Sequence, residues 1–193
     1  MCIRDSNYRM SGEACFPALV HDVKAAIRWI RANAANFLFD GERIAAWGGS
    51  AGGYLALMAG VSSGVPDLDD LALGNAGFAS TVQAVVDWFG PTDFLAMDGQ
   101  LAVSGLAPDD EHAHSGANSP ESLLLGQKIT EVPALVRFAN PESYLSPAAP
   151  SFFIQHGLQD SVVPYQQSVQ FAAAATARLG TAKVTLELLP GAE

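Results

Sequence analysis

Apolar positions along the chain follow two rhythms, one with the period of a helix and one suited to strands. Between Pro17 and Ala34, the residues Leu19, Val23, Ile27, Ile30 and Ala34 recur at helical spacing, and Pro17 suits the first helical position. Lys24, Arg28 and Arg31 fall largely off that stripe. Arg43-Ile44-Ala45-Ala46-Trp47 predicts a short buried strand reaching about residue 48, and Tyr54-Leu55-Ala56-Leu57-Met58-Ala59 predicts a helix running to about Val61. Ser62 to Ser80 is rich in Gly, Ser and Asp and predicts a loop. Val82 to Trp88 is mostly apolar, as expected of a parallel strand covered on both faces. Ser151-Phe152-Phe153-Ile154-Gln155 predicts another strand, and Tyr165 to Leu179 another helix. Val184, Leu186 and Leu188 alternate with Thr185, Glu187 and Leu189, which suggests a strand nearer the sheet edge. Strands and helices in this order predict an α/β fold, a mainly parallel sheet with right-handed crossovers.

Two stretches fall outside these rhythms. From Gly90 to about Pro150 the chain is irregular, with many prolines and an acidic patch at Asp109-Asp110-Glu111. So long an insertion, about 91–150, reads as a substrate-covering cap and not as a linker. The first six residues, Met1-Cys2-Ile3-Arg4-Asp5-Ser6, lack the apolar centre of a signal peptide and lead into no recognisable element. They read as a non-native leader ahead of a domain over 7–193, the ordinary alternative being a flexible terminus.

Composition narrows the class. The chain has 193 residues, 49% of them hydrophobic, enough for one domain with a substantial core. A formal net charge of −10 disfavours nucleic acid as a partner and favours solubility. No apolar run is long enough to span a membrane and no signal peptide is visible, so localisation stays open with a slight lean to the cytoplasm. Cys2 and Cys15 form neither a disulfide framework nor a metal-ligand spacing.

The chemistry concentrates at Trp47-Gly48-Gly49-Ser50-Ala51-Gly52-Gly53. Gly48, Ser50 and Gly52 make Gly-x-Ser-x-Gly between a predicted strand and a predicted helix, the setting of a nucleophile elbow. Such a turn holds serine in a strained conformation, projects its hydroxyl towards a base, and aims the following N–H, that of Ala51, at the oxygen of an attacked carbonyl. Neighbouring backbone would leave positions 48 and 52 room for little more than a hydrogen. The alternative is a Gly-rich segment that merely punctuates a loop; the strand before and the helix after argue against it.

With these motifs in view, the chain from about Tyr8 to Glu193 resembles the α/β-hydrolase superfamily, and within it the bacterial feruloyl-esterase-type and hormone-sensitive-lipase-like carboxylesterases. The resemblance is carried by Phe16-Pro17-Ala18 with His21-Asp22, the elbow with Gly49 inside it, Asp87-Trp88-Phe89-Gly90-Pro91-Thr92-Asp93, and His156-Gly157-Leu158-Gln159-Asp160 followed by Val163-Pro164. It implies a serine hydrolase acting on small carboxylic esters through an acyl-enzyme, with no metal or organic cofactor. Triad order in this fold is Ser, acid, His, and Asp160 follows the 151–155 strand as the acid would; Asp87 and Asp93 are its rivals, and a turn-forming role for Asp160 is the plain alternative.

No histidine follows Asp160. His21 lies on the first helix beside Asp22, His156 ends a strand with a local hydrogen bond, and His112 and His114 read as a solvated acidic loop in preference to metal ligands. The resemblance therefore implies a cut chain, stopping at Glu193 short of the catalytic histidine and starting after the His-Gly-Gly-type oxyanion loop. Such a fragment is expected to be inactive, with the elbow strand presenting an unpaired edge. The intact protein is expected to hydrolyse esters, carbohydrate-linked aromatic or acetyl esters being what the resemblance suggests. Two other readings stay open: a serine peptidase of the prolyl-oligopeptidase type, and a non-catalytic hydrolase-like binding module.

Overall fold

The computed structural model describes residues 3–106, 108–109 and 112–192. Cys2, Asp110, Glu111 and Glu193, invoked above for the leader, the acidic patch and the chain end, lie outside the described residues. The first helix, α1, spans Ala18–Ala32, and a single turn, α2, spans Ala34–Phe37. Pro17 is therefore not the first helical residue but sits one position ahead, at φ −97° and ψ 16°. Asn33 separates the two helices, its side-chain amide donating back to the Trp29 carbonyl at 2.9 Å.

Among the described residues four strands follow the expected order, β4 with the expected bounds and the others differing by a residue or two at an end: β1 Ala45–Gly49, β2 Ala84–Trp88, β3 Ser151–Gly157 and β4 Val184–Leu189. All pair in parallel, in the spatial order β1-β2-β3-β4. The helix α3, Ala51–Val61, connects β1 to the loop before β2, and α7, Gln166–Leu179, connects β3 to β4. The sheet thus has the alternating architecture the apolar pattern dictates.

The two faces of this sheet differ. Ala46, Val85, Phe152 and Val184 align across the strands. Val85, Phe152 and Ile154 are buried against Ile27 of α1, Leu57 of α3, and Phe171 and Ala175 of α7. On the opposite face Trp47 is 55% exposed and Trp88 37%, their rings in edge-to-face contact at 4.8 Å. Burial of β1 and β2 on both faces is thus not what the described residues show. Apolar side chains on both sides of a strand mark surface that favours burial, without specifying which side the helices cover.

Among the described residues, the segment between β2 and β3 forms three short α-helices, α4 Met97–Val103, α5 Pro120–Leu125 and α6 Pro133–Ala139. Phe94, Met97, Leu125, Ile129 and Val136 join Leu19, Tyr54 and Met58 in one buried cluster. The Tyr54 hydroxyl donates to the Ala139 carbonyl at 3.0 Å, fastening α3 to α6. At the start of the segment, the backbone N–H groups of Thr92 and Asp93 both donate to Gln167 Oε1 at 2.7 Å, with Gln167 wholly buried.

Two cations of α1 are also wholly buried, Lys24 and Arg28. Arg28 pairs with Asp69 and donates to the carbonyls of Gly74 and Asp70, holding the 62–80 loop on the helix. Lys24 donates to the Ser62 carbonyl at 2.6 Å, and burial pushes its ammonium down to about 8.

Candidate active site

Ser50 occupies the turn between β1 and α3, exposed, at φ 54° and ψ −122°. That region of backbone space is costly for any residue with a side chain, on the order of 1–3 kcal/mol, and must be enforced by its surroundings. The enforcement is visible. Ser50 N–H donates to the Trp88 carbonyl at the end of β2 at 2.8 Å, and the Ser50 carbonyl accepts from Tyr54 N–H at 3.0 Å.

Glycine is required at some elbow positions and not at others. A Cβ on Gly48 would collide with the Gly52 carbonyl and lie 2.8 Å from its Cα. One on Gly49 would press on the Phe89 ring at 3.1 Å. Gly52, expected to be equally confined, faces open space. Gly53 takes that role instead, because a methyl there would collide with the Asp87 carboxylate. The crowding comes from β2 crossing beneath the helix start, which the motif spacing alone does not reveal. Ala51 opens α3 and is exposed, so its N–H belongs to the unpaired first turn of the helix, where partial positive charge collects.

Asp87 lies under this turn, fully buried on β2. Its Oδ1 accepts from Gly90 N–H at 3.0 Å, and Oδ2 has no partner among the described residues. Burial pushes the carboxyl up to about 7, only partly opposed by that one hydrogen bond.

Asp160 lies in the turn after β3. With β2 between β1 and β3, two strand spacings of about 5 Å separate the tracks carrying Ser50 and Asp160, about 10 Å in all. Asp160 Oδ1 accepts from the N–H groups of Val162 and Val163 at 2.9 and 2.8 Å. Burial would raise this carboxyl, but the neighbouring His156 and the two N–H donors outweigh it and hold the group below the usual carboxylate range. The end of β4 and the residues after it run beside the same turn, Leu189 and Ala192 accepting from Leu158 and Gln159 N–H at 3.1 and 2.9 Å.

The four histidines are engaged elsewhere. His156 is fully buried, with Nε2 2.8 Å from the Val163 carbonyl and 3.4 Å from Asp160 Oδ2, and Nδ1 2.7 Å from the Ser168 hydroxyl. A carbonyl can only accept, so Nε2 carries the proton. The Phe89 ring stands near both this imidazole, at 6.3 Å, and Gly49 of the elbow. His21 lies 3.0 Å from the Asp67 carbonyl, and His112 pairs with Asp109 at 2.6 Å. His114, expected in a solvated acidic loop, is instead buried against Glu121 of α5. Alternating charge in the sequence signals solvent, but a single carboxylate one helix away supplies a buried partner that no local pattern records. Among the described residues no cluster of three or more His, Cys, Asp or Glu could hold a metal. No helix among the described residues is long and apolar enough to cross a membrane.

This geometry has close counterparts. Esterase LipQ of Mycobacterium tuberculosis is 33% identical over 186 residues, spanning 96% of this chain and 40% of that protein. The bifunctional GH43-CE of Bacteroides eggerthii superposes with a TM-score of 0.84 at 37% identity, over 96% of this chain and 23% of its own. A truncated form of carbohydrate esterase from gut microbiota superposes with a TM-score of 0.82 at 36% identity, over 96% of this chain and 64% of its own. This chain thus spans about two fifths of LipQ's length. The BD-FAE family model matches residues 2–175, most of the chain. Parallel sheet, strand-to-helix serine turn and family match together place the chain in the BD-FAE family, with the fold of the α/β-hydrolase esterases.

Proposed function

We propose that the protein is a serine hydrolase that cleaves carboxylic esters through an acyl-enzyme, with Ser50 as nucleophile and Asp160 as triad acid. The single observation that carries this reading is the conformation of Ser50, held exposed at φ 54° between β1 and α3. The Ser50 oxygen bonds to the acyl carbon as its proton passes to an imidazole, and the alcohol leaves with that proton. Water then attacks the acyl-enzyme, regenerating the serine and releasing the acid. Ala51 N–H, at the positive end of α3, donates to the oxyanion that develops in each step.

Asp160 is shaped for an electrostatic role. Two backbone N–H groups and a neighbouring imidazole keep it ionised, so it can orient an imidazolium without taking its proton. The base in this reading is an imidazole oriented by Asp160. Relatives described as a carbohydrate esterase and a GH43-CE protein, at 36% and 37% identity, support carbohydrate-linked acetyl or feruloyl esters as substrates. In the full chain, hydrolysis of a short p-nitrophenyl ester should fall by at least about 10⁴-fold in Ser50→Ala. Undiminished turnover in that variant would remove Ser50 as nucleophile.

A further inference from the structure

The segment between β2 and β3 meets the acid turn at one buried charged pair. His114 and Glu121 face each other, Nδ1 to Oε2, at 3.1 Å, with each side chain 9% exposed. Neither atom makes a hydrogen bond among the described residues, so the pair is a close charge contact and not an aligned N–H···O bond. The other ring nitrogen, Nε2, is 2.9 Å from the Val162 carbonyl. That carbonyl can only accept, so Nε2 bears a proton; Glu121, when ionised, attracts Nδ1 only if it bears one too. The arrangement suits an imidazolium that donates to the Val162 carbonyl and faces Glu121 as a charge. Its backbone is fixed as well, the N–H groups of His114 and Ser115 donating to the two Asp98 oxygens at 2.8 and 2.9 Å.

The charged groups facing this ring are Glu121 from α5 and Asp98 from α4, with Asp160 behind the Val162–Val163 peptide in the acid turn. Burial by itself would lower the imidazole, but Glu121 first, then the Val162 carbonyl and Asp98, raise it above its ordinary range. The peptide between Val162 and Val163 is the physical link. Its C=O accepts from His114, and its N–H donates to Asp160 Oδ1 at 2.8 Å. Charge on the ring therefore polarises the same amide that fixes the carboxylate, as in a cooperative hydrogen-bond chain.

We infer that His114, beside Glu121, is a positioning residue for Asp160, fastening the acid turn to the β2–β3 segment through a charge-assisted bond while protonated and holding it more weakly once the Nδ1 proton is lost. Deprotonation leaves a buried carboxylate facing a ring lone pair, an arrangement that costs more than it returns. The catalytic consequence rests on the reading of Asp160 as triad acid; the latch itself does not.

The test uses the full chain and three readouts: NMR titration of the His114 ring, hydrogen exchange at the Val163 amide, and pH profiles of kcat and KM for a p-nitrophenyl ester. The His114 titration should lie above that of a free imidazole, and Glu121→Gln should bring it down. Val163 exchange, corrected for its intrinsic pH dependence, should accelerate about tenfold or more through that titration. kcat should fall about tenfold over the same range with KM held. His114→Gln keeps an N–H for the Val162 carbonyl but carries no switchable charge, so both changes should flatten. A titration unmoved by Glu121→Gln, or Val163 exchange indifferent to the charge on His114, overturns the latch. Exchange that follows the titration while kcat does not overturns the positioning role. Full turnover in Asp160→Asn would overturn the triad reading instead, and leave the latch standing on exchange alone.

Discussion

The elbow and the acid turn sit at the same end of the sheet but are built by opposite means. The elbow is shaped by close backbone approach: Gly48 against Gly52, Gly53 against Asp87, and Ser50 N–H against the Trp88 carbonyl. The acid turn is held by hydrogen bonds: locally, the Val162 and Val163 N–H groups donate to Asp160 and His156 donates to the Val163 carbonyl, while His114, from the β2–β3 segment, donates to the Val162 carbonyl. Steric enforcement can be written into a short motif, because it requires only that particular residues lack a side chain. Enforcement by distant hydrogen bonds cannot, because its parts meet only after folding.

This contrast can be broken most forcefully at Gly48. Gly48→Ala places a methyl where the Gly52 backbone already lies, and stability should fall by at least about 4 kcal/mol in denaturant titration. A loss below about 1 kcal/mol would mean that the elbow is not sterically enforced. Next in size is Asp87→Asn. The native carboxyl titrates near 7 and the unfolded one near 3.8, so the native state binds more protons between those values. Native stability should therefore decline as pH rises through that window, by about 1.4 kcal/mol per unit at most, or roughly 4 kcal/mol in total. The asparagine variant should lack that slope; an unchanged slope would assign it to other groups.

His156→Leu probes the other region. It leaves the buried Val163 carbonyl and Ser168 hydroxyl without their ring partner, and should cost about 2–3 kcal/mol. Hydrogen exchange should localise the loosening to residues 157–163, with the elbow amides protected as before; equal loosening of both regions would dissolve the contrast. The smallest effect is the most discriminating in sign. Gly52→Ala enters open space in the first turn of α3 and should stabilise by about 0.5–1 kcal/mol, as removal of a helical glycine does. Destabilisation there, comparable with Gly48→Ala, would show that the two glycines share one steric role.

Much of the framework was legible in order and spacing. The stripe from Leu19 to Ile27 gave α1, the apolar runs gave four parallel strands within a residue or two, and Gly-x-Ser-x-Gly between strand and helix located the one serine with strained backbone. These features follow from short-range geometry, the periodicity of side chains and the space a glycine leaves. The errors came where one-dimensional proximity misleads. Gly52 was given the confinement that belongs to Gly53, because only the passage of β2 beneath α3 shows which hydrogen faces Asp87.

By itself, then, the sequence determined the alternation of elements, their parallel pairing and the position of the serine turn, since each is encoded in residues that are neighbours along the chain. Only the tertiary structure decided that one sheet face buries Val85 and Phe152 while Trp47 and Trp88 stay partly exposed, and that Lys24, Arg28 and His114 lie inside. The burial of those polar side chains depends on which desolvated group finds which partner on another element: Arg28 and Asp69, His114 and Glu121, His156 and the turn that carries Asp160. A buried charge is tolerated only where its partner arrives, and arrival is a property of the fold.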